Sequence, residues 1–262
     1  VSVIAQHPGP VGITVALSDG RALSASLLVG ADGRKSGVAE RAGIRRLGHD
    51  YGQIALVAAV DHELPHNGTA HQFFMPSGPL AILPLPGNRS SIVWSETADE
   101  AQAILDLDDA EFLQVLRPRF GDFLGAISLA GPRFSYPLNL TLAEHYIAPR
   151  IALIGDAAHG VHPIAGQGLN LGLRDAAALA RALGDALGQG TDAPLAAYAR
   201  ERRAAAARVL RMTDRLTRMA TRTGRPVRWI RNRLISAASH VPALRRAAAL
   251  STGWYAVAHI PR

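Results

Sequence analysis

Arg150-Ile-Ala-Leu-Ile-Gly-Asp-Ala-Ala-His159, continued by Gly160-Val-His-Pro-Ile-Ala-Gly-Gln-Gly-Leu-Asn170, decides how the rest of this 262-residue chain is read. Ile151 to Ile154 is a short unbroken apolar run, the pattern of a strand buried on both faces, and it stops at Gly155-Asp156. A carboxylate at the end of a buried strand is placed to meet the hydroxyl groups of a ligand. A loop with Pro163, Gly166 and Gly168 follows, and then a helical pattern from about Leu169 to Leu187. Leu169, Leu173, Ala176, Leu179, Ala180 and Leu183 recur there at three- and four-residue steps and are expected to form its buried stripe. Strand, glycine loop and helix thus stand in series. The free N–H groups of a helix start favour partial negative charge, and glycines let a flat ligand approach the main chain.

Gly155-Asp156-Ala157-Ala158-His159, Pro163, Gly166-Gln167-Gly168-Leu169-Asn170 and Gly172-Leu173-Arg174-Asp175 together resemble the second flavin motif of the FAD-dependent aromatic hydroxylases. These form the para-hydroxybenzoate hydroxylase-like superfamily, and the likeness is strongest to its ubiquinone-biosynthesis hydroxylases. The resemblance implies that Asp156, after Gly155, binds the ribityl chain of FAD. It also implies that the loop from Pro163 through Gly166, Gln167, Gly168 and Leu169 to Asn170 lies along the isoalloxazine ring. A second likeness stands at Gly30-Ala31-Asp32-Gly33-Arg34-Lys35-Ser36, which resembles the family's Asp-Gly motif. That motif places Asp32 and Gly33 in the FAD pyrophosphate region and near the nicotinamide cofactor. The family usually has Arg three residues after the Ser, whereas Ala39 stands here.

Composition bounds the alternatives. A hydrophobic fraction of 48% suits one or two globular cores, and the absence of cysteine excludes disulfides, thiolate chemistry and Cys-ligated zinc. No run approaches the roughly 20 apolar residues of a membrane-spanning helix, so a cytoplasmic protein is expected. His159 and His162 are spaced like metal ligands, yet no carboxylate cluster completes a set and no metal is expected. No Gly-x-Ser-x-Gly elbow supports a hydrolase.

Along the chain, Val11 to Leu17 and Ala22 to Val29 read as a hairpin around Ser18-Asp-Gly-Arg21. Ile54 to Val60, Ala70 to Met75, Leu80 to Leu85 and Ser90 to Ser95 read as four antiparallel strands, and Ala98 to Phe120 as helical. Phe73 to Pro86, with Val93 to Glu96, is similar to the substrate-covering sheet of the same hydroxylases, although for any single residue core packing is the better reading. Phe134 to Leu138 and Ala143 to Ile147 lead back to the flavin strand. The domains implied are 1–44 with 135–192 as a discontinuous FAD-binding domain, 45–134 as a substrate sheet, and 193–262 as a C-terminal helical region. A strand followed by Gly-x-Gly-x-x-Gly, the usual pyrophosphate cradle, is absent, and the chain opens on Val1. The expectation is therefore a fragment whose beginning is missing, and which alone does not retain FAD.

Beyond Ala193 lies most of the basic excess behind the net charge of +7. Arg208, Arg211, Arg215, Arg218 and Arg222 form one stripe, and Val209, Met212, Leu216 and Met219 another. Val227 to Ile235 continues the pattern, and Val241 to Ala258 reads as a last helix. No aromatic residue is interleaved with the arginines from Arg208 to Arg222 for stacking, which argues against nucleic acid. Peripheral membrane contact and a plain solvated face remain as readings. Lys35 is the only lysine, which points to an Arg-biased composition.

The fold class expected is α/β, a flavoprotein monooxygenase fold with an incomplete nucleotide-binding domain, an inserted antiparallel sheet and C-terminal helices. The resemblance implies an enzyme in which NAD(P)H reduces FAD and O₂ forms a flavin C4a-hydroperoxide. That species hydroxylates the aromatic ring of a polyprenyl phenol in ubiquinone biosynthesis. The cofactor carries this chemistry, and no side chain is assigned as acid or base. The resemblance further implies a complex with other ubiquinone-biosynthesis proteins. Two alternatives stay open: a related flavoprotein acting on another aromatic substrate, and a flavin-free scaffold with a membrane- or partner-binding tail.

Overall fold

The computed structural model of the protein describes residues 1–189 and 193–221. The chain runs β1 (Val3–Pro8), β2 (Ile13–Leu17), β3 (Ala22–Ala25), β4 (Leu28–Gly30) and α1 (Gly37–Arg41). Then come β5 (Arg46–His62), β6 (His71–Phe74), β7 (Pro79–Leu85), β8 (Arg89–Thr97), α2 (Ala98–Leu105), α3 (Asp109–Phe120) and β9 (Ile127–Leu129). It continues with β10 (Phe134–Ala143), β11 (Ile147–Ala148), β12 (Ile151–Leu153), β13 (His159–Gly160), α4 (Gly168–Gln189) and α5 (Ala193–Thr221). The described residues divide into two compact units. Val1–His49 with Leu140–Asp214 belong to the first, and Asp50–Asn139 with the described residues after Asp214 belong to the second.

In the first unit, β1, β2 and β3 form an antiparallel sheet. The hairpin expected to run to Val29 instead ends at Ala25, and β4 starts a different sheet by pairing in parallel with β12. Ile151, Ala152 and Leu153 are all buried, as a strand covered on both faces requires. Leu28, Val29 and Gly30 lie in register with them, so the ends of two strands distant in sequence, Gly30 and Leu153, sit side by side. Gly30 is required there: a Cβ would run into the side chains of Leu153 and Val38.

The first unit's core takes Tyr198, Ala206 and Leu210 from α5. The segment from Ala193 to Asp214 is therefore part of this unit, whereas sequence reading set 193–262 apart as its own region. Its observed limits at 49/50 and 139/140 also differ from the expected 44/45 and 134/135. Both limits fall inside continuous strands, β5 and β10, where no turn residue marks a boundary. The expected helix from Val241 to Ala258 and the pattern from Val227 to Ile235 lie outside the described residues.

The second unit is the antiparallel sheet expected, with β8 between β5 and β7, β6 beyond β7, and β9 on β5. Alternation puts Ile92 and Trp94 on one face of β8, opposite Ala58 and Leu56 of β5 and Ile82 and Leu80 of β7. Ile104, Phe112, Leu116 and Phe120 from the helices complete this core. The segment expected as one helix is two. Asp108 accepts from Glu111 N while the Glu111 carboxylate accepts from Asp108 N, a capping box that starts α3 afresh.

The buried stripe expected on α4 is corrected. Leu171, Asp175, Ala178, Leu179 and Ala182 face inward, while Leu169 is 74% and Leu173 60% exposed. An Ala- and Leu-rich helix offers two apolar stripes about one residue out of phase, so periodicity could not choose between them. Backbone packing chose: Gly172 lies so close to Gly155 that a Cβ on it would stand 3.4 Å from Gly155 Cα. On α5 the face carrying Arg202, Ala206, Leu210, Thr213 and Thr217 is buried. The expected apolar ridge flanks this face, with Val209, Met212 and Leu216 only half-buried and Met219 exposed.

Candidate flavin site

The chain turns sharply after β12. Ile154 N donates to Gly30 O, Gly155 adopts φ +58°, and Gly155–Ala157 form a short 3-10 turn. Only glycine takes that left-handed conformation without strain. The turn throws the Asp156 carboxylate outward, where its side chain keeps 40% exposure. Arg34, next after Asp32-Gly33, reaches the same carboxylate, its Nε 3.2 Å from Asp156 Oδ2, while its Nη2 donates to Val161 O at 3.1 Å. The two sequence motifs thus meet in one place through an arginine that motif spacing did not single out. A cation next to the anionic residue of the other motif was the available signal.

The Asp32 carboxylate is held from within the chain. Its Oδ1 accepts from Ser36 Oγ at 2.5 Å and its Oδ2 from Val38 N at 3.0 Å, so it anchors the start of α1. Burial alone would raise its pKa, but these hydrogen bonds outweigh it and hold the carboxyl below its ordinary value. Gly33, at φ +81°, makes the turn between strand and helix. Ala39, where the family usually has arginine, is fully buried against the core.

The loop leading into α4 is built by its own backbone. His162 Nδ1 accepts from Ile164 N at 3.1 Å, capping the 3-10 turn Pro163–Ala165, and Gly166 ends that turn at φ +59°. Gln167 is buried and donates from Nε2 to Ala165 O at 3.0 Å, which leaves the exposed Gly166 and Leu169 on the outside. The amides of Gly168 and Leu169 open α4 without intrahelical acceptors. An exposed carboxylate, a left-handed glycine and a helix start therefore stand within one short stretch. That is the donor and acceptor set that ribityl hydroxyls and a flavin ring edge require, so the residues present fit FAD.

His162 is fully buried, and burial, assisted by the nearby Arg34 charge, lowers its pKa to about 4. The native state therefore keeps it neutral while the unfolded chain protonates near pH 6.5. Stability is intact above pH 6.5 and falls as pH drops toward 4, because the unfolded state then binds the extra proton. Acidification from pH 7.5 to 4.5 should destabilise the wild type by about 2–3 kcal/mol more than His162→Asn, which keeps a capping acceptor but does not titrate. Urea denaturation of both proteins at both pH values checks this; equal acid losses would contradict it.

Behind the loop lies a buried polar cluster. Asp175, fully buried on α4, accepts from His159 Nε2 at 2.6 Å and Gly155 N at 3.1 Å on one oxygen, and from Arg202 Nε at 2.8 Å on the other. Tyr198 donates to Leu153 O at 2.7 Å. Sequence reading quoted His159 and Asp175 within the flavin motif but gave neither a role, beyond rejecting His159 as a metal ligand, and did not name Arg202. The signal was present, since Asp175 stands at helical spacing between Leu171 and Leu179. Among the described residues no group of three or more His, Asp or Glu could hold a metal ion.

Comparison with known proteins bears on this geometry. Residues 6–213 match the FAD binding domain family. The ubiquinone hydroxylase UbiL of Rhodospirillum rubrum is 48% identical over 241 residues, covering 90% of this chain and 56% of that protein. The mouse ubiquinone biosynthesis monooxygenase COQ6, mitochondrial, is 34% identical over 271 residues, covering 89% and 57%. The chain thus spans little more than half the length of these relatives. Among solved structures, the Diels-Alderase PyrE3 superposes with a TM-score of 0.78 at 26% identity, over 96% of this chain and 55% of that one. Its name is a reminder that fold alone does not settle chemistry.

Proposed function

Because the chain belongs to the FAD binding domain family, we propose that it supplies the ribityl and ring-edge side of the flavin site in an NAD(P)H-dependent monooxygenase. The substrate proposed is a polyprenyl phenol hydroxylated on its aromatic ring for ubiquinone biosynthesis. The observation that carries the reading is Asp156, presented at the end of β12 with an exposed carboxylate and bridged by Arg34 to the Asp32-Gly33 turn. The similarity to UbiL, a ubiquinone hydroxylase, and to COQ6, a ubiquinone biosynthesis monooxygenase, supports the pathway and the hydroxylation chemistry.

FAD, once bound, supplies the redox and oxygen-transfer chemistry. The chain's own part is positional. Asp156 would accept from a ribityl hydroxyl, and Arg34, its Nε 3.2 Å from Asp156 Oδ2, orients that carboxylate. The amides opening α4 would favour negative charge on a bound ring, an effect confined to the first helical turn. Gly166 leaves the main chain bare where a flat ring would lie. Asp156→Ala in the intact protein should lower FAD affinity by about 1–3 kcal/mol, the cost of leaving a ribityl donor unpaired. Flavin titration followed by fluorescence checks this, with circular dichroism confirming the fold; unchanged affinity would remove the assignment.

A membrane-surface role accompanies this reading. Arg208, Arg211, Arg215 and Arg218 lie on the exposed side of α5, and the apolar ridge beside them is only partly covered. That arrangement suits a peripheral contact with an acidic leaflet on the inner face of a membrane, where a polyprenyl substrate resides. Among the described residues no helix is long and apolar enough to cross a membrane. A complex with other ubiquinone-biosynthesis proteins belongs to the same proposal.

A further inference from the structure

The cluster around Asp175 is expensive. A carboxylate, an imidazole and a guanidinium share one interior site, and burying such groups stabilises a protein poorly compared with apolar packing. His159 Nδ1 and Arg202 Nη2 are buried without a hydrogen-bonding partner among the described residues, and so is the hydroxyl of neighbouring Tyr146. Unpaired buried polar atoms add to the cost. What the cluster achieves is geometric. Asp175 Oδ2 accepts from the N–H of Gly155, the residue that turns the chain and aims Asp156. A carboxylate only accepts, so His159 Nε2 carries the proton shared with the same oxygen, and this ties the far side of the turn to the same atom.

The second oxygen is held by Arg202, which fixes the carboxylate's rotation about its own axis. Arg202 and Tyr198 are one turn apart on α5, and Tyr198 grips Leu153 O two residues before Gly155. Gly172, one turn before Asp175 on α4, packs directly on Gly155. Two helices therefore converge on a single backbone turn.

We propose that Asp175, oriented by Arg202, is a positioning residue for the flavin site: it sets the direction of the Asp156 carboxylate without touching the cofactor. The inference rests on the ribityl role given to Asp156 above. It makes α5 a determinant of flavin affinity, although Arg202 reaches the site only through Asp175.

The test is a double-mutant cycle in the intact protein, with Asp156→Ala, Asp175→Asn and both together. FAD affinity is read by titration, the bound flavin by its visible circular dichroism, and the fold by far-ultraviolet circular dichroism and unfolding midpoint. Asp175→Asn should fold, bind FAD roughly tenfold more weakly and alter the flavin's visible spectrum. In the Asp156→Ala background the same change should cost almost nothing further, because the two residues act through one contact. A folded Asp175→Asn protein with full affinity and an unaltered spectrum would overturn the inference, as would equal losses in both backgrounds. If Asp175→Asn does not fold, Arg202→Lys and Arg202→Met decide: the lysine should retain most of the affinity and the methionine should not, and equal behaviour overturns the proposal. Weakening by Asp156→Ala without weakening by Asp175→Asn removes this inference alone. Unchanged affinity in Asp156→Ala removes the ribityl reading and this inference together.

Discussion

Replacing Trp94 with alanine is expected to destabilise the second unit by about 3–5 kcal/mol, the range for truncating a fully buried aromatic. Trp94 has no exposed surface, lies opposite Leu56 on one neighbouring strand and Leu80 on the other, and packs its ring 6.0 Å from that of Phe112. The Arg119 guanidinium sits 5.0 Å over the indole, so the ring also serves as a cation's face. The loss goes beyond volume. The indole Nε1 donates to Glu96 Oε1 at 2.9 Å, and Glu96 is only 4% exposed. Without that donor the carboxylate keeps the Arg119 guanidinium, its Nε 3.7 Å away. Trp94→Phe separates the two contributions, since it refills most of the cavity but still leaves Glu96 short of a donor, at about 1–3 kcal/mol. Equilibrium chemical denaturation of the three proteins measures both steps. An alanine cost below about 1 kcal/mol would show that the helices collapse onto the sheet and fill the space.

Changing Arg211, Arg215 and Arg218 together to glutamine should reduce binding of the intact protein to acidic liposomes about a hundredfold. Each arginine near an anionic leaflet contributes about 1 kcal/mol, and the three side chains share the exposed side of α5. The electrostatic part should weaken between low and high salt as the screening length shortens. Co-sedimentation with acidic and with neutral vesicles at two salt concentrations provides the measurement. Binding that ignores lipid charge, salt and the substitutions would leave the arginines as solvated surface. The half-buried Val209, Met212 and Leu216 would then serve only as the flank of the helix's packed face.

Much of the nucleotide unit was legible because its signals are local. A three-residue strand buried on both faces reads as an apolar run, a left-handed turn reads as Gly155, and a helix start reads as Gly166-Gln167-Gly168. The antiparallel sheet was legible for the same reason, since alternation along Leu56, Ala58 and Val60, and along Ser90, Ile92 and Trp94, is written strand by strand. Asp156 could be named as a site residue from its place after such a strand.

Only tertiary structure decided which of two nearly equivalent stripes of α4 is buried, because alanine and leucine occupy both and a glycine-on-glycine contact with Gly155 settles the phase. It also decided that Arg34 meets Asp156 across 122 residues, and that the Asp32 carboxylate holds Ser36 Oγ and Val38 N at the start of α1. The same holds for Asp175, which looks like one more polar residue on an amphipathic helix until Gly155, His159 and Arg202 are seen to converge on it. Pattern in sequence reports the periodicity of a face. Which face is buried, and which charges meet on it, depends on partners that no local window contains.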